Sequence, residues 1–176
     1  MIMKSSLTVA VSLAALALLA PQANAETYKI DTAHSAVTFK VLHNGVSYVP
    51  GRFNKFEGTI VLDSDINASR VDFTVQTNSV YTGDKKRDDH LRGPDFFDTK
   101  KYPTAVFKSK SVKKISDNEY EIQGDFTLVG KTKPVSFKGT LVGSKEGDKK
   151  IAGGYGVFSI DRSDYGIDYG LPKIGD

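Results

Sequence analysis

Cysteine is missing from all 176 residues, and with it go disulfides, thiol catalysis and thiolate metal sites. In an oxidising compartment such a fold stands on packing alone. No cysteine follows the apolar stretch from Leu7 to Ala20, so nothing indicates a lipid-anchored lipoprotein. That stretch is also shorter than the roughly 18 residues a membrane-spanning helix needs. A strong charge of one sign is lacking too, since 24 basic residues stand against 21 acidic ones for a net charge of +3. The lysines are scattered, with no dense basic run and no aromatic interleaving, so no nucleic-acid partner is expected. Histidine is scarce: His34, His43 and His90 lie far apart. Neither an H-x-x-x-H pair, nor a calcium loop, nor a G-x-S-x-G nucleophile elbow occurs. The expectation is therefore no metal, no cofactor and no catalytic residue. Internal repeats and low-complexity linkers are also absent, which leaves a single domain.

What is present begins with a leader. Lys4 supplies a positive charge, Leu7 to Ala20 is apolar or small, and Ala23-Asn24-Ala25 reads A-x-A. That is the layout of a secretory signal peptide, residues 1–25, with cleavage expected after Ala25. The mature domain is then residues 26–176, in the periplasm, with no stable membrane insertion. A domain of that size can bury about 68–70% of its unfolded surface, enough for a core without covalent staples.

The dominant period along the mature chain is two, which predicts strands. Val37, Phe39, Val41 and His43 share one face of the first clear strand. Val71, Phe73 and Val75 follow the same rule, as do Tyr120, Ile122, Phe126 and Leu128, and then Val135, Phe137 and Leu141. Ala105 and Phe107 point inward if Lys108 and Lys110 face water. Polar turns such as "SDNE" and "GKTKP" punctuate the runs, so the strands read as an antiparallel meander. Seven strands can be counted, the last at roughly 151–160. The strands and their ends also carry Phe53, Phe56 and Phe158. Such residues either fill a solid core or line a long dry tunnel, and periodicity leaves both open.

Only Gly83 to Pro103 breaks the period. Its Asp88, Asp89, His90, Asp95 and Asp98 suggest a metal or acid–base site, with His90 and Asp89 as acid and base in the enzymatic alternative. The simpler reading is a lid: "DDHLR" makes a helical turn, Gly93-Pro94 ends it, and "DFFD" turns again so that Phe96 and Phe97 face something apolar.

The stretches "YKIDTAHSAVTFKVLHNGVSYVPGRFNKFEGTI", "RDDHLRGPDFFDTKKYPTAVFKS", "GDFTLVGKTKPVSF" and "FSIDRSDYGI" resemble the YceI-like family of secreted lipid-binding proteins. The D-x-x-H-S start, the H-L-R-x-x-D-F-F-D-x-x-K-Y-P lid and the G-x-T-K-P turn occur in the family's order from Tyr28 onward. The resemblance implies an all-β fold, an elongated antiparallel lipocalin-like β-barrel of eight strands with a short helical lid. It implies a tunnel that holds an isoprenoid lipid, such as an isoprenoid quinone or isoprenyl phosphate, a periplasmic home, and no catalysis. Phe39, Val41, Phe53, Phe56, Phe73, Val75, Phe96, Phe97, Phe107, Phe126, Leu128 and Phe137 then become the ligand-binding wall. His43, Asp89, His90 and Arg92 become the polar mouth. The family continues past "GLPKIGD" into a final strand, so the chain is expected to be a fragment lacking that strand, with an open seam in the barrel. A filled-barrel interaction protein is the alternative from another class, and homodimerisation is left open.

Overall fold

The computed structural model describes residues 25–145, 147, 150–171 and 173–174. The leader expected at residues 1–25 lies outside the described residues except for Ala25. Among the described residues, no helix is long and apolar enough to cross a membrane.

Alternation of apolar and polar residues builds the sheet where it was expected. The strands are β1 (Glu26–Lys29), β2 (Val37–His43), β3 (Ser47–Phe53), β4 (Phe56–Leu62), β5 (Arg70–Gln76), β6 (Val80–Tyr81), β7 (Thr104–Lys114), β8 (Glu119–Leu128), β9 (Lys131–Lys145) and β10 (Ile151–Val157). One α-helix, α1 (Lys85–Leu91), lies between β6 and β7. Among the described residues the count is ten, where the sequence predicted seven. The extra elements escape the period for physical reasons: β1 and β6 are too short to show it, and Pro50 and Gly51 interrupt it in β3.

Seven strands form one antiparallel sheet in the order β1-β4-β5-β7-β8-β9-β10, and β2-β3-β6 form a second. β1 and β10 are the two edges of the large sheet. The Lys150 ammonium, just before β10, pairs with the Glu26 carboxylate at the start of β1. A side-chain ion pair thus spans the gap where no strand ladder joins the edges among the described residues. This contact with Lys150 is the main reason the Glu26 carboxyl titrates below its ordinary value.

Two β-bulges shape the long strands. The first, between Ser109 and Ser111, shifts the parity of β7, so that Phe107 and Val112 are both buried although their spacing is odd. The second lies where Gly153 and Gly154 of β10 face Gly143 and Leu141 of β9, so that Val142 of β9 is the extra residue. A bulge inserts a residue, bends the strand that carries it and raises its twist.

The outward face explains the scattered charge. Lys108 stands opposite Asp72 on one side and Asp125 on the other, while Glu121 stands between Lys113 and Lys138. Opposite charges across a ladder contribute roughly 0.2–1 kcal/mol per pair. The inward face gathers into two clusters. One holds Val75, Ala105, Leu128, Tyr165 and Ile167, and the other Phe107, Val112 and Ile122. Phe73 and Phe126 pack against both, so the two clusters are continuous.

Gly124 shows how tightly this face is drawn. A Cβ there would lie 2.3 Å from the Lys108 carbonyl oxygen, a backbone atom that cannot step aside. At Gly143, nothing lies within 4 Å of the same position. Gly124→Ala should lower stability by about 1–3 kcal/mol, the usual cost of overpacking, and Gly143→Ala should stay within about 0.5 kcal/mol of the parent. Urea denaturation of both chains checks the contrast.

Candidate functional site

Strand parity brings most of the expected wall residues onto one concave face. Phe39 lies 5.4 Å from Phe53, and Phe53 lies 5.6 Å from Phe97, ring centre to ring centre. Phe56 stacks on Phe73 at 5.8 Å. Phe107 meets Phe137 edge-on at 5.4 Å, and Phe158 reaches Phe126 and Phe137 at 5.3 Å each. Such offset and edge-to-face pairs add about 0.5–1.5 kcal/mol beyond the area they bury.

Burial along this face is uneven in an informative way. Val75, Phe107 and Leu128 are buried, whereas Phe39, Val41, Phe53, Phe56, Phe73, Phe96, Phe97, Phe126 and Phe137 are only half-buried. Phe158 touches three phenylalanines of the face yet keeps 36% of its surface exposed. A filled core would bury its large inward aromatics. Here solvent still reaches the inner rings, so the face is apolar and open. An open groove of about 520 Å³ follows the seam, lined by Glu26, Thr27, Tyr28, Lys29 and Lys150. A second, of about 300 Å³, is lined by Thr32, Asn54, Lys55, Phe56, Glu57 and Gln76. Phe56 is the one expected wall residue that lines either groove.

The lid forms for local reasons. The Asp84 carboxylate accepts the Arg87 backbone N–H and caps α1 at its N-terminus, which places the helix start earlier than the "DDHLR" turn read from the sequence. Gly93 and Pro94 follow α1 and lead into the turn that carries Phe96 and Phe97. Both phenylalanines pack against the cluster around Tyr165. Asp88 is 4% exposed and accepts the Thr82 backbone N–H at 2.8 Å and its hydroxyl at 2.6 Å. Arg92 donates to the carbonyls of Asn78 and Val80 and pairs with Asp89 at 3.0 Å. These bonds tie the lid to β6 and the turn before it. At the far end of the excursion, the Thr77 hydroxyl donates to the Tyr102 carbonyl.

The polar candidates separate. His90 bonds Asp95 at 2.9 Å and stands edge-on to both Phe96 and Tyr169. Asp89 is engaged by Lys85 and Arg92. His43 is elsewhere: β2 meets the lid side of the fold at Val37, opposite Phe53, whereas His43 pairs with Ser47 at the hairpin tip and bridges Ile174. Ile174 in turn donates its backbone N–H to the Gly170 carbonyl, next to the Tyr169 that stands against His90. Among the described residues, no group of three or more acidic or histidine side chains is arranged to hold a metal ion.

Several residues of the face carried no site assignment in the sequence. Tyr165 and Ile167, 2% and 3% exposed, come from the "RSDYGI" stretch and close the lid end of the face. Arg162 holds this stretch in place by donating to the carbonyls of Ile167 and Ile174. Asp164 faces Lys133 at 3.6 Å. No period marks these residues because they lie in a turn, not in a strand.

The chain matches the YceI-like domain family over residues 28–176. A UPF0312 protein of Vibrio cholerae is 42% identical over 171 residues, 94% of this chain and 89% of that protein. Protein YceI of Escherichia coli O157:H7 is 44% identical over 154 residues, 86% of this chain and 78% of that protein. The crystal structure of Burkholderia cenocepacia BcnA superposes with a TM-score of 0.71 at 29% identity, covering 80% of this chain and 86% of that one. A polyisoprenoid binding domain from Saccharophagus degradans shares the fold at a TM-score of 0.59 and 15% identity, covering 85% of this chain and 89% of that one.

The lid acids carry a pH signature. Lys85, and then Arg92, hold the Asp89 carboxyl below its ordinary value, and the Arg87 backbone N–H does the same for Asp84. A carboxyl depressed in the folded state stabilises it fully above the unfolded value of about 3.9, and that contribution is lost as pH falls through the folded value. Protection of the α1 amides from hydrogen exchange, compared with that of β8, should therefore hold above about pH 4 and fall below it.

Proposed function

The chain belongs to the YceI-like domain family, and on that premise we propose that it binds and carries a long isoprenoid lipid in the periplasm, without catalysis. The observation that carries this reading is the row of inward phenylalanines that stay half-buried in a folded sheet. An apolar face that its own side chains leave open is a site for an apolar guest. Each CH₂ moved from water onto such a face gains about 0.8 kcal/mol. A chain of several isoprene units would therefore be held firmly once the costs of ordering it are met. The Saccharophagus degradans domain, described as polyisoprenoid binding, supports the reading through its shared fold.

Within this proposal the wall is Phe39, Val41, Phe53, Phe56, Phe73, Val75, Phe96, Phe97, Phe107, Phe126, Leu128 and Phe137. Asp89, His90 and Arg92 close the sleeve, because each is already engaged in holding the lid. His43, exposed at the opposite end of β2, is the polar candidate for the ligand's head group. The carrier works in the periplasm after its leader is removed.

Purification of the mature protein from its native host, solvent extraction and mass spectrometry test the proposal. An isoprenoid quinone, alcohol or phosphate is expected in near-stoichiometric amount, and recovery of none would overturn the reading. His90→Ala should retain the lipid with its head group unaltered. A changed head-group product that depends on His90 would instead favour an enzyme.

A further inference from the structure

Phe39 and Phe137 owe their positions to glycines on neighbouring strands. Gly51, directly opposite Phe39 in the β2–β3 ladder, faces inward and is buried although it has no side chain. A Cβ on Gly51 would lie 2.2 Å from Phe39 Cζ, and the next two nearest atoms belong to the same ring. The ring therefore lies across the Gly51 backbone. The arrangement recurs on the other flank of the fold. Gly156 stands opposite Gly139, diagonal to Phe137, and a Cβ on Gly156 would meet Phe137 Cε2 at 2.7 Å. In both places the nearest obstacle is a side-chain ring, so the space taken by the glycine's missing Cβ is space the ring would otherwise claim in the interior.

We propose that Phe39 and Phe137 set the bore of the sleeve, and that Gly51 and Gly156 hold it open by letting those rings lie back against the wall. The proposal rests on the lipid-binding reading and deepens it by naming the residues that select the guest: a single, slender, unbranched-in-outline hydrocarbon chain fits, and a two-chain lipid does not. Any side chain at Gly51 lifts the Phe39 ring off the wall. Phe53 stands 5.4 Å from that ring, so the ring is displaced away from both Gly51 and Phe53, toward the interior. Long chains that must pass this point lose their path, while short chains held deeper in the sleeve do not.

Native mass spectrometry with farnesol, geranylgeraniol, solanesol and dioleoylglycerol reads the bore directly. The parent chain is expected to bind the three isoprenols and exclude dioleoylglycerol. Gly51→Ala should bind solanesol about tenfold more weakly or worse, the scale of one misfitted group in an apolar pocket, with farnesol unchanged. The double variant Gly51→Ala/Phe39→Leu should recover solanesol. Phe39→Leu alone, which adds no Cβ and removes only the ring, should admit dioleoylglycerol, and this holds the proposal to account if Gly51→Ala does not fold. Equal binding of all four probes by every folded variant overturns the bore assignment and leaves the lipid-binding reading standing. A parent chain that binds none of the isoprenols overturns that reading and the bore assignment with it.

Discussion

The contact between an inward ring and the bare backbone of the strand beside it governs much of this structure. An inner face that carries phenylalanine on strand after strand would ordinarily fill itself, since large apolar side chains close on one another to native density. At Gly51 and Gly156 the neighbouring strand has no side chain to resist the ring, and the ring settles there instead. An apolar side chain likewise lies over a glycine where Ile122 meets Gly139 and where Phe73 meets Gly58. Ring-to-backbone and ring-to-ring contacts thus line the inner face beside the two buried clusters.

The tight packing gathers in the two clusters that Phe73 and Phe126 join. Val75, Ala105, Leu128, Tyr165 and Ile167 pack closely at the lid end, and Phe107, Val112 and Ile122 form the second buried group. The lid belongs to the first of these as a structural cover. Its acids are consumed by a helix cap, by Thr82 and by the Lys85–Asp89–Arg92 chain of contacts, and its phenylalanines continue the apolar face. A dense cluster of aspartates beside a histidine thus serves folding. The individual exposed ion pairs are weak, and the buried Asp88 with its two Thr82 bonds is the contact that removal would damage most, by roughly 1–3 kcal/mol.

The open seam between β1 and β10 is the other consequence of how the sheet is built. Among the described residues no ladder joins these two edges, and exposed Ile151, Tyr155 and Val157 sit along β10. The Glu26–Lys150 ion pair reaches from one edge to the other. An edge of this kind is where a sheet is most ready to accept further pairing.

The periodicity of the sequence determined a good deal by itself. The inward sets on β2, β5, β8 and β9 follow from alternation, because a pleated strand sends successive side chains to opposite faces. The lid follows from a loss of that period combined with turn-forming residues. Tertiary structure alone decided the rest. The bulge at Ser109–Ser111 restores Val112 to the interior, and no local pattern announces it. His43 is joined to Ile174 and His90 to Asp95 and Tyr169, partners that the sequence alone does not pick out. Which residue stands across the ladder from each ring, Gly51 from Phe39 for one, was equally undecided in one dimension, because that register exists only once the strands have paired.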